Sequence, residues 1–240
     1  MIAIVIPMLD EAPQLPRLMR CLATLVPPPD EIIVVDGGSG DDSVGVAQAL
    51  GLRVIMSSPG RARQCNAGVA ATAAPIIMIL HADTWLPDDA MAVVAATMAD
   101  ARVNLAGFTA ILAGREKTRW VTSFHNWLKT WYAPLLFRPH LFVRGGRLLF
   151  GDHAMFFRRA DFEAVGGFDA AMMVMEEADL CVRMAQLGRT RLVNRIVITS
   201  DRRIARWGEW RANWIYLKVG MRWGFNIRPK SLGTLYPDVR

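Results

Sequence analysis

IIMILHADT, residues 76–84, is the stretch on which the fold turns. Ile76 to Leu80 are apolar without alternation, and the run stops at His81 and Asp83. A strand written this way is buried on both faces, the habit of parallel sheets covered by helices. Upstream, Ala3–Ile6, Glu31–Val35 and Arg53–Met56 are further short β-rich runs, the first two ending at a Pro and at an Asp-Gly cluster. Between them, Leu15, Leu18, Met19, Leu22 and Leu25 recur at helical spacing until Pro27-Pro28-Pro29. Ser39, Asp41 or Ser43 can cap a second helix through Leu50, closed by Gly51, and Asn66–Ala74 reads as a short third helix. The order β-α-β-α-β-α-β predicts an α/β fold with a mostly parallel central sheet flanked by helices.

Downstream the pattern is looser. A helix is expected from Pro87-Asp88-Asp89 to about Ala99, and a strand over Phe108–Leu112. Residues 115–147 interrupt the alternation with seven Lys/Arg and the aromatics Trp120, Phe124, Trp127, Trp131 and Tyr132. A strand at Ala154–Phe157, a helix from Asp161, a turn at Gly166-Gly167, a helix over Glu176–Leu187 and a last strand over Val193–Ile198 complete the reading. No linker divides the 240 residues, so one domain is expected.

The opening MIAIVIPMLDEAP has no basic leader, and its apolar run stops at Pro7, so it reads as a strand rather than a signal peptide. No stretch approaches the roughly 20 apolar residues that span a membrane. Three widely spaced cysteines, Cys21, Cys65 and Cys181, suggest a reducing compartment and no metal cluster. A soluble or peripheral cytoplasmic protein is therefore expected. Charge is uneven: residues 189–240 carry twelve Lys/Arg against three Asp/Glu, a balance of +9 in a chain whose total is +6. A basic end on a mildly acidic body is either a solvated face or a site for an anionic partner.

Ligands of open parallel sheets bind at the carboxyl ends of the strands, and here those ends are polar. The first strand runs into Asp10-Glu11, the second into Asp36-Gly37-Gly38-Ser39 and the fourth into His81-Ala82-Asp83. Each alone is an ordinary turn or cap; three on one rim mark a site. No G-x-G-x-x-G follows the first strand and no G-x-x-x-x-G-K-[ST] occurs, which disfavours dinucleotide and P-loop chemistry. A carboxylate at Asp83 can hold Mg²⁺ or Mn²⁺ bridging two phosphates, because hard cations prefer oxygen ligands. Glu176, Glu177 and Asp179 open a helix, where acids favour the dipole; three in four residues exceed a cap's needs, and one can act as a general base towards a hydroxyl.

At this point the chain resembles a family of enzymes. The ordered series IAIVIPMLDEA, EIIVVDGGSGDDS, GRARQCNAG (60–68), LHADT (80–84), GDHAMFFRR (151–159), GGFD (166–169) and MEEADLCVRMAQLG (175–188), with a final LYPDVR, is similar to bacterial inverting glycosyltransferases of family 2, in particular a small subgroup with the L-H-A-D-T metal motif. The resemblance implies a GT-A fold and transfer of a sugar from a nucleotide-diphosphate donor to a hydroxyl acceptor. It divides the domain into a nucleotide-binding half (1–100), an acceptor and catalytic half (101–200) and a basic aromatic C-terminal segment (201–240). Position by position it implies that Pro7, Glu11 and Asp36 meet the donor base, and that Arg61, Arg63 and Asn66 lie in a loop closing over the nucleotide. Asp83 is the implied metal ligand, with His81 replacing the first acid of a D-x-D pair. Gly151, Asp152 and His153, with Glu176, would face the acceptor. Glu177 is the implied base, with Asp179 the alternative, and Arg202 and Arg203 are candidates for gripping the diphosphate.

Trp207, Trp210, Trp214, Leu217 and Met221, beside Arg211, Lys218 and Arg222, can form one face of a helix. Two accounts of it stand: core packing, or docking on an anionic membrane where a lipid or lipid-linked acceptor is found. The 115–147 segment could likewise help form a lipid-acceptor groove. Two other functions fit the sequence less well. A nucleotidyltransferase wants a Gly-rich basic loop after the first strand, which Met8-Leu9-Asp10-Glu11 does not supply. A nucleic-acid or membrane-binding module leaves the acids at the strand ends unexplained, no nucleic-acid motif is present, and no nucleic-acid partner is expected.

Overall fold

The computed structural model describes residues 1–225; the LYPDVR segment at 235–240 lies outside the described residues. In chain order, β1 (Ile2–Met8), α1 (Leu15–Leu22), β2 (Glu31–Asp36), α2 (Ser43–Ala49), β3 (Arg53–Met56), α3 (Arg61–Ala70) and β4 (Ile76–Ile79) build a parallel half-sheet in the order β3-β2-β1-β4. Val5 of β1 stands between Ile33 of β2 and Ile79 of β4. Successive β1 residues feed opposite cores: Ile4, Ile6 and Met8 pack with Leu15, Leu18 and Met78 on one face, Ala3 and Val5 with Cys65 and Ile77 on the other. This period of two with both faces apolar is why the strands lack hydrophobic alternation.

The third helix begins earlier than its sequence suggests, at Arg61 rather than Asn66, and ends at Ala70. Gly60, at φ +127, turns the chain into it. The polar run Arg-Ala-Arg-Gln conceals a buried stripe of Ala62, Cys65 and Val69. At Gly68 the helix lies so close to the sheet that a β-carbon would collide with Val5 and Val35, so only glycine fits there.

The second half comprises β5 (Thr84–Trp85), α4 (Ala90–Met98), β6 (Val103–Ala113), α5 (Trp120–Phe137), α6 (Pro139–Val143), a 3₁₀ turn at Gly151–His153, β7 (Phe156–Arg158), α7 (Arg159–Ala164), α8 (Glu176–Met184), β8 (Arg189–Ser200), α9 (Arg202–Trp207) and α10 (Glu209–Gly224). The eight strands form one sheet in the order β3-β2-β1-β4-β7-β6-β8-β5. β7 runs antiparallel to both β4 and β6, and β5 antiparallel to β8, while β6 and β8 are parallel. The sheet is therefore mixed beyond β4. β6 and β8 are also longer than expected, because they pair with each other over almost their whole length.

Residues 115–147, irregular by sequence, contain the 18-residue helix α5. Its amphipathicity is inverted, which hid it: Thr122, Ser123, Asn126 and Thr130 are buried, while Trp120, Phe124, Trp127 and Leu128 face outwards. Pro134 sits inside the helix and supplies no N–H to Thr130, whose carbonyl instead accepts the Leu148 N–H at 3.5 Å. The tail is also rearranged. Gly208, at φ +82, separates α9 from α10, so Trp207 packs by Tyr216 with Ile204 and Leu112 instead of sharing a face with Trp210 and Trp214. Trp210 is 86% exposed and Trp214 56%, so core packing does not account for either. Among the described residues no helix is long and apolar enough to cross a membrane.

Candidate active site

β1 has β2 on one side and β4 on the other, and the chain leaves their carboxyl ends in different directions. This is the switch point at which open α/β sheets open a crevice. A cleft of about 300 Å³ lies there, entered by Pro7 and Glu11 from the end of β1, His81 and Asp83 from the end of β4, and Arg61 from the first turn of α3. Gly151, Asp152 and Glu177 line its other side, with Arg202 and Arg203 at the start of α9.

One end of the cleft is an ionic knot. Arg202 Nη2 donates to Glu11 Oε1 at 2.7 Å, to Glu11 Oε2 at 3.0 Å and to Asp83 Oδ2 at 2.9 Å. Burial raises the Glu11 carboxyl above its ordinary value, and Arg202 works against that rise. Burial opposes the charge of Arg202 in turn, but the bonds and charges of Glu11 and Asp83 outweigh it and hold the guanidinium protonated. Ser43 Oγ accepts the Glu11 N–H at 2.8 Å, and Ser39 Oγ the Asp10 N–H at 3.0 Å, so the loop after β1 is pinned to the loop after β2.

Asp36 has another place. It is fully buried, accepts the N–H groups of Gly38 and Ser39 at 2.8 and 3.0 Å, and bonds the Ser39 hydroxyl. It shapes the turn that carries Ser39 and is not part of the cleft wall. Arg63 and Asn66 are not brought to the cleft either, and with Arg61 they stand on α3 rather than in a loop. Arg63 donates to Pro59 O at 3.1 Å, while Asn66 donates to Phe168 O and accepts the Phe168 N–H. The Asn66 contact staples α3 to the Gly166-Gly167 turn.

The opposite wall carries the acids of α8. Met175, at φ +66, turns the chain into that helix and aims Glu177 at the cleft. Arg61 Nη1 lies 3.3 Å from both Glu176 Oε1 and Glu177 Oε1. Asp179 is on another face, paired with Arg183 at 2.7 Å. A β-carbon on Gly151 would meet His81 Cε1 at 2.5 Å and Glu177 Oε1 at 2.8 Å, so this glycine lets the imidazole and the carboxylate close on one point. Burial lowers the His81 imidazole well below its ordinary value, with the charges of Arg61 and Arg203 adding, so the ring is neutral; its Nε2 is buried without a partner. His153 sits in the core instead, its Nδ1–H donated to Phe108 O at 3.0 Å, and burial first and Lys129 second bring it down to about 3.

Glu176 is 1% exposed, and burial followed by the charge of Glu177 lifts its carboxyl from 4.5 to about 7. Between these values the folded chain binds a proton that the unfolded chain releases, so this group's contribution to stability is present at low pH and lost as pH rises through about 7. Glu176→Gln should accordingly raise the melting temperature relative to the parent at pH 8 and by much less at pH 4, below the ordinary value of the carboxyl. Thermal unfolding at the two pH values checks this; an equal difference at both would contradict it.

Several cleft residues have no role assigned by the sequence, Gln64 within the GRARQCNAG stretch among them. Gln64 of α3 is buried and donates to Met8 O at 2.7 Å and Val35 O at 2.9 Å, tying the ends of β1 and β2 together. Thr122, Asn126 and Lys129 of α5 and Tyr216 and Val219 of α10 also line the cleft. The spacing of Thr122, Asn126 and Lys129 along α5 is that of one helical face, a signal present in the sequence once the segment is known to be helical.

A half-sheet of the dinucleotide-binding type, continued by an antiparallel strand and opening a polar cleft at its switch point, is the α/β architecture called GT-A, the fold of nucleotide-sugar transferases. The glycosyl transferase family 2 model matches residues 3–166, and the chain belongs to that family. It is a glycosyltransferase by that membership. Among solved structures it is similar to a mannosyltransferase from Pyrobaculum calidifontis in complex with GDP-Man and Mn²⁺, with 18% identity, a TM-score of 0.70 and coverage of 93% of this chain. It spans 62% of that protein's length. Glucosyl-3-phosphoglycerate synthase from Mycobacterium tuberculosis in complex with phosphoglyceric acid is also similar, with 18% identity, a TM-score of 0.64, and coverage of 95% of this chain and 81% of the synthase. At such identities the likeness shows the shared fold. No curated protein matches the sequence significantly.

Proposed function

We propose that the chain is an inverting, divalent-metal-dependent glycosyltransferase that works as one domain, with the donor held by the first half and the acceptor by the second. The observation that carries this is the polarity of one cleft: carboxylates gathered on a cation at one end, and a carboxylate free of a helix-cap role, Glu177, at the Gly151 point. Glu11 and Asp83 converge on the guanidinium of Arg202, so their oxygens already form a place for positive charge. Among the described residues no three ligands form a closed cage. That suits Mg²⁺ or Mn²⁺ at phosphates, which use one or two carboxylates and take the remaining oxygens from substrate and water. Asp83 with Glu11 would hold the ion; when bound, it supplies neutralisation of the diphosphate leaving group. His81 before Asp83 fits the L-H-A-D-T subgroup, and its neutral ring can accept or donate a hydrogen bond without adding charge.

In the reaction the acceptor oxygen forms its bond to the anomeric carbon as the bond from that carbon to the diphosphate oxygen breaks. The hydroxyl proton goes to Glu177, and the negative charge leaves with the nucleoside diphosphate, towards Arg202 and Arg203. One base acting on the face opposite the leaving group gives inversion, as in inverting glycoside hydrolysis. A thermal-shift panel of nucleoside diphosphates and nucleotide sugars with Mn²⁺ tests the reading, since a ligand that binds only the folded state stabilises it by mass action. A metal-dependent rise in melting temperature with one nucleotide is expected; no shift with any would overturn it.

The exposed stripes of α5 and α10 favour a peripheral position on the cytoplasmic face of an anionic membrane, with a lipid or lipid-linked acceptor. The two helices touch through Asn213 and Thr122 at 2.9 Å. They turn outwards Trp120 and Phe124 from one, Trp210 and Trp214 from the other, beside Arg211 and Lys218. Each cation near such a leaflet contributes about 1 kcal/mol. Co-sedimentation with anionic vesicles should be strong at low salt, weaken with added salt, and fall in a Trp210→Ser/Trp214→Ser double variant. Failure of the folded parent chain to sediment with anionic vesicles at low salt would reject this position.

A further inference from the structure

Lys129 is a cleft cation that the transfer chemistry above does not use. It stands on the inward face of α5, one turn after Asn126, with its Nζ 3.6 Å from the centre of the Phe150 ring and 5.9 Å from that of Tyr216. A cation over a buried aromatic ring is held in place without being neutralised, so the ammonium is pre-positioned. It is partly open to the cleft. Among the described residues no carboxylate lies within ion-pairing distance of it, although Asp152 and Glu177 are near enough to act on its charge. Burial brings the ammonium down to about 8, against the pull of those two acids, so it carries its charge at neutral pH at a cost that an anion would relieve. Its neighbours are already committed: His125 bonds Asn213 and Tyr132 through its two ring nitrogens, and Asn126 donates to Asp152 Oδ2 at 3.4 Å.

The location identifies what such an anion belongs to. Phe150 immediately precedes Gly151, the point at which His81 and Glu177 converge, and the charges of Glu177 and Asp152 act on the Lys129 ammonium, so Lys129 stands on the side of the base. The groups proposed to meet the metal and the diphosphate, Glu11, Asp83 and Arg202, bond one another and not Lys129. Apolar Val219 and the Tyr216 ring complete the Lys129 end.

We propose that Lys129, seated on Phe150, is an acceptor subsite for a phosphate or carboxylate group, so that the acceptor is a hydroxyl compound carrying an anion beside the hydroxyl presented to Glu177. The subsite rests on the glycosyltransferase reading for its role, but its occupancy does not require transfer. The two sources of such a group are a small soluble acceptor and a lipid headgroup.

The chain has four lysines, Lys117, Lys129, Lys218 and Lys230, which makes site-resolved labelling practical. The wild-type protein is treated with a trace amine-acetylating reagent, and the rate at each lysine is read from peptide masses, with no sugar donor or metal present. Glycerol 3-phosphate or inorganic phosphate should slow labelling of Lys129 at least threefold relative to Lys117, while glycerol does not. If the source is a headgroup, the same selective protection appears with phosphatidylglycerol vesicles, is absent with phosphatidylcholine, and is absent with the soluble anions. Protection by neither kind of anion, or equal protection by glycerol or phosphatidylcholine, overturns the subsite. Because the assay needs no donor, its outcome stands apart from that of the donor panel. With an active donor in hand, Lys129→Gln should raise KM for the anionic acceptor at least tenfold with kcat little changed, and Lys129→Arg should restore it. A loss confined to kcat, unaffected by Arg, would also overturn it.

Discussion

Glu177→Gln should lower turnover by roughly 10²–10⁴-fold, the usual contribution of a positioned general base, with nucleoside diphosphate affinity little changed. The substitution keeps the size of the side chain and an oxygen for Arg61, which lies 3.3 Å from Glu177 Oε1, but removes the site that accepts the proton. The comparison that gives the result meaning is Asp179→Asn. Asp179 is bound to Arg183 on a different face of α8, so its loss should cost stability more than chemistry. Steady-state kinetics of the two variants separate them: an active Glu177→Gln beside an inactive Asp179→Asn would move the base to Asp179.

Asp83→Ala has the other large effect. It removes one of two carboxylates gathered on Arg202 at the cleft's donor end. Nucleoside diphosphate binding in the parent should require Mg²⁺ or Mn²⁺, and in the variant the metal should no longer matter. The loss of metal-supported affinity should exceed the roughly 10–100-fold that removing an outer partner of a metal ligand costs. Calorimetry with Mn²⁺ and with EDTA checks this, and equal affinity in both for the parent chain would refute a metal at Asp83. Arg202 would have to leave Asp83 as the ion arrives, which places it where the diphosphate can take it up.

The parallel half of the fold was legible because its strands are buried on both faces and end sharply. β4, Ile76–Ile79, needs only the five-residue apolar run Ile76–Leu80 to be recognised, and the acids after β1 and β4 stand out because they interrupt such runs. The second half was harder for physical reasons. α5 places polar Thr122, Asn126 and Thr130 inside and Trp120 and Phe124 outside, so a rule that buries apolar residues reads it backwards. The antiparallel β7 is three residues long and owes its place to partners on both sides, β4 and β6, that are distant in sequence.

The site divides in the same way. Glu11, His81, Asp83, Gly151, Glu177 and Arg202 come together in the cleft, each from the end of an element whose position the strand pattern sets. Asp36 and Asn66 do not, because their partners are backbone groups that only the folded turns supply: Gly38 and Ser39 for the first, Phe168, 102 residues away, for the second. Gln64 lies inside the GRARQCNAG stretch with no role assigned to it there, and Lys129 had no motif to announce it. Their roles come from where α3 and α5 cross the sheet, which no local pattern records.

The central claim is that this cleft transfers a sugar from a nucleotide donor with inversion, using Glu177. Proton NMR of the wild-type chain with Mg²⁺ and a panel of α-linked nucleotide diphospho-sugars tests it most directly, with water standing in for the acceptor in slow turnover. One donor should be consumed, its nucleoside diphosphate should appear, and the sugar first released should be the β-anomer, with the signal lost in Glu177→Gln. Release of the α-anomer first, or a panel in which no donor is either bound or consumed, would contradict the account.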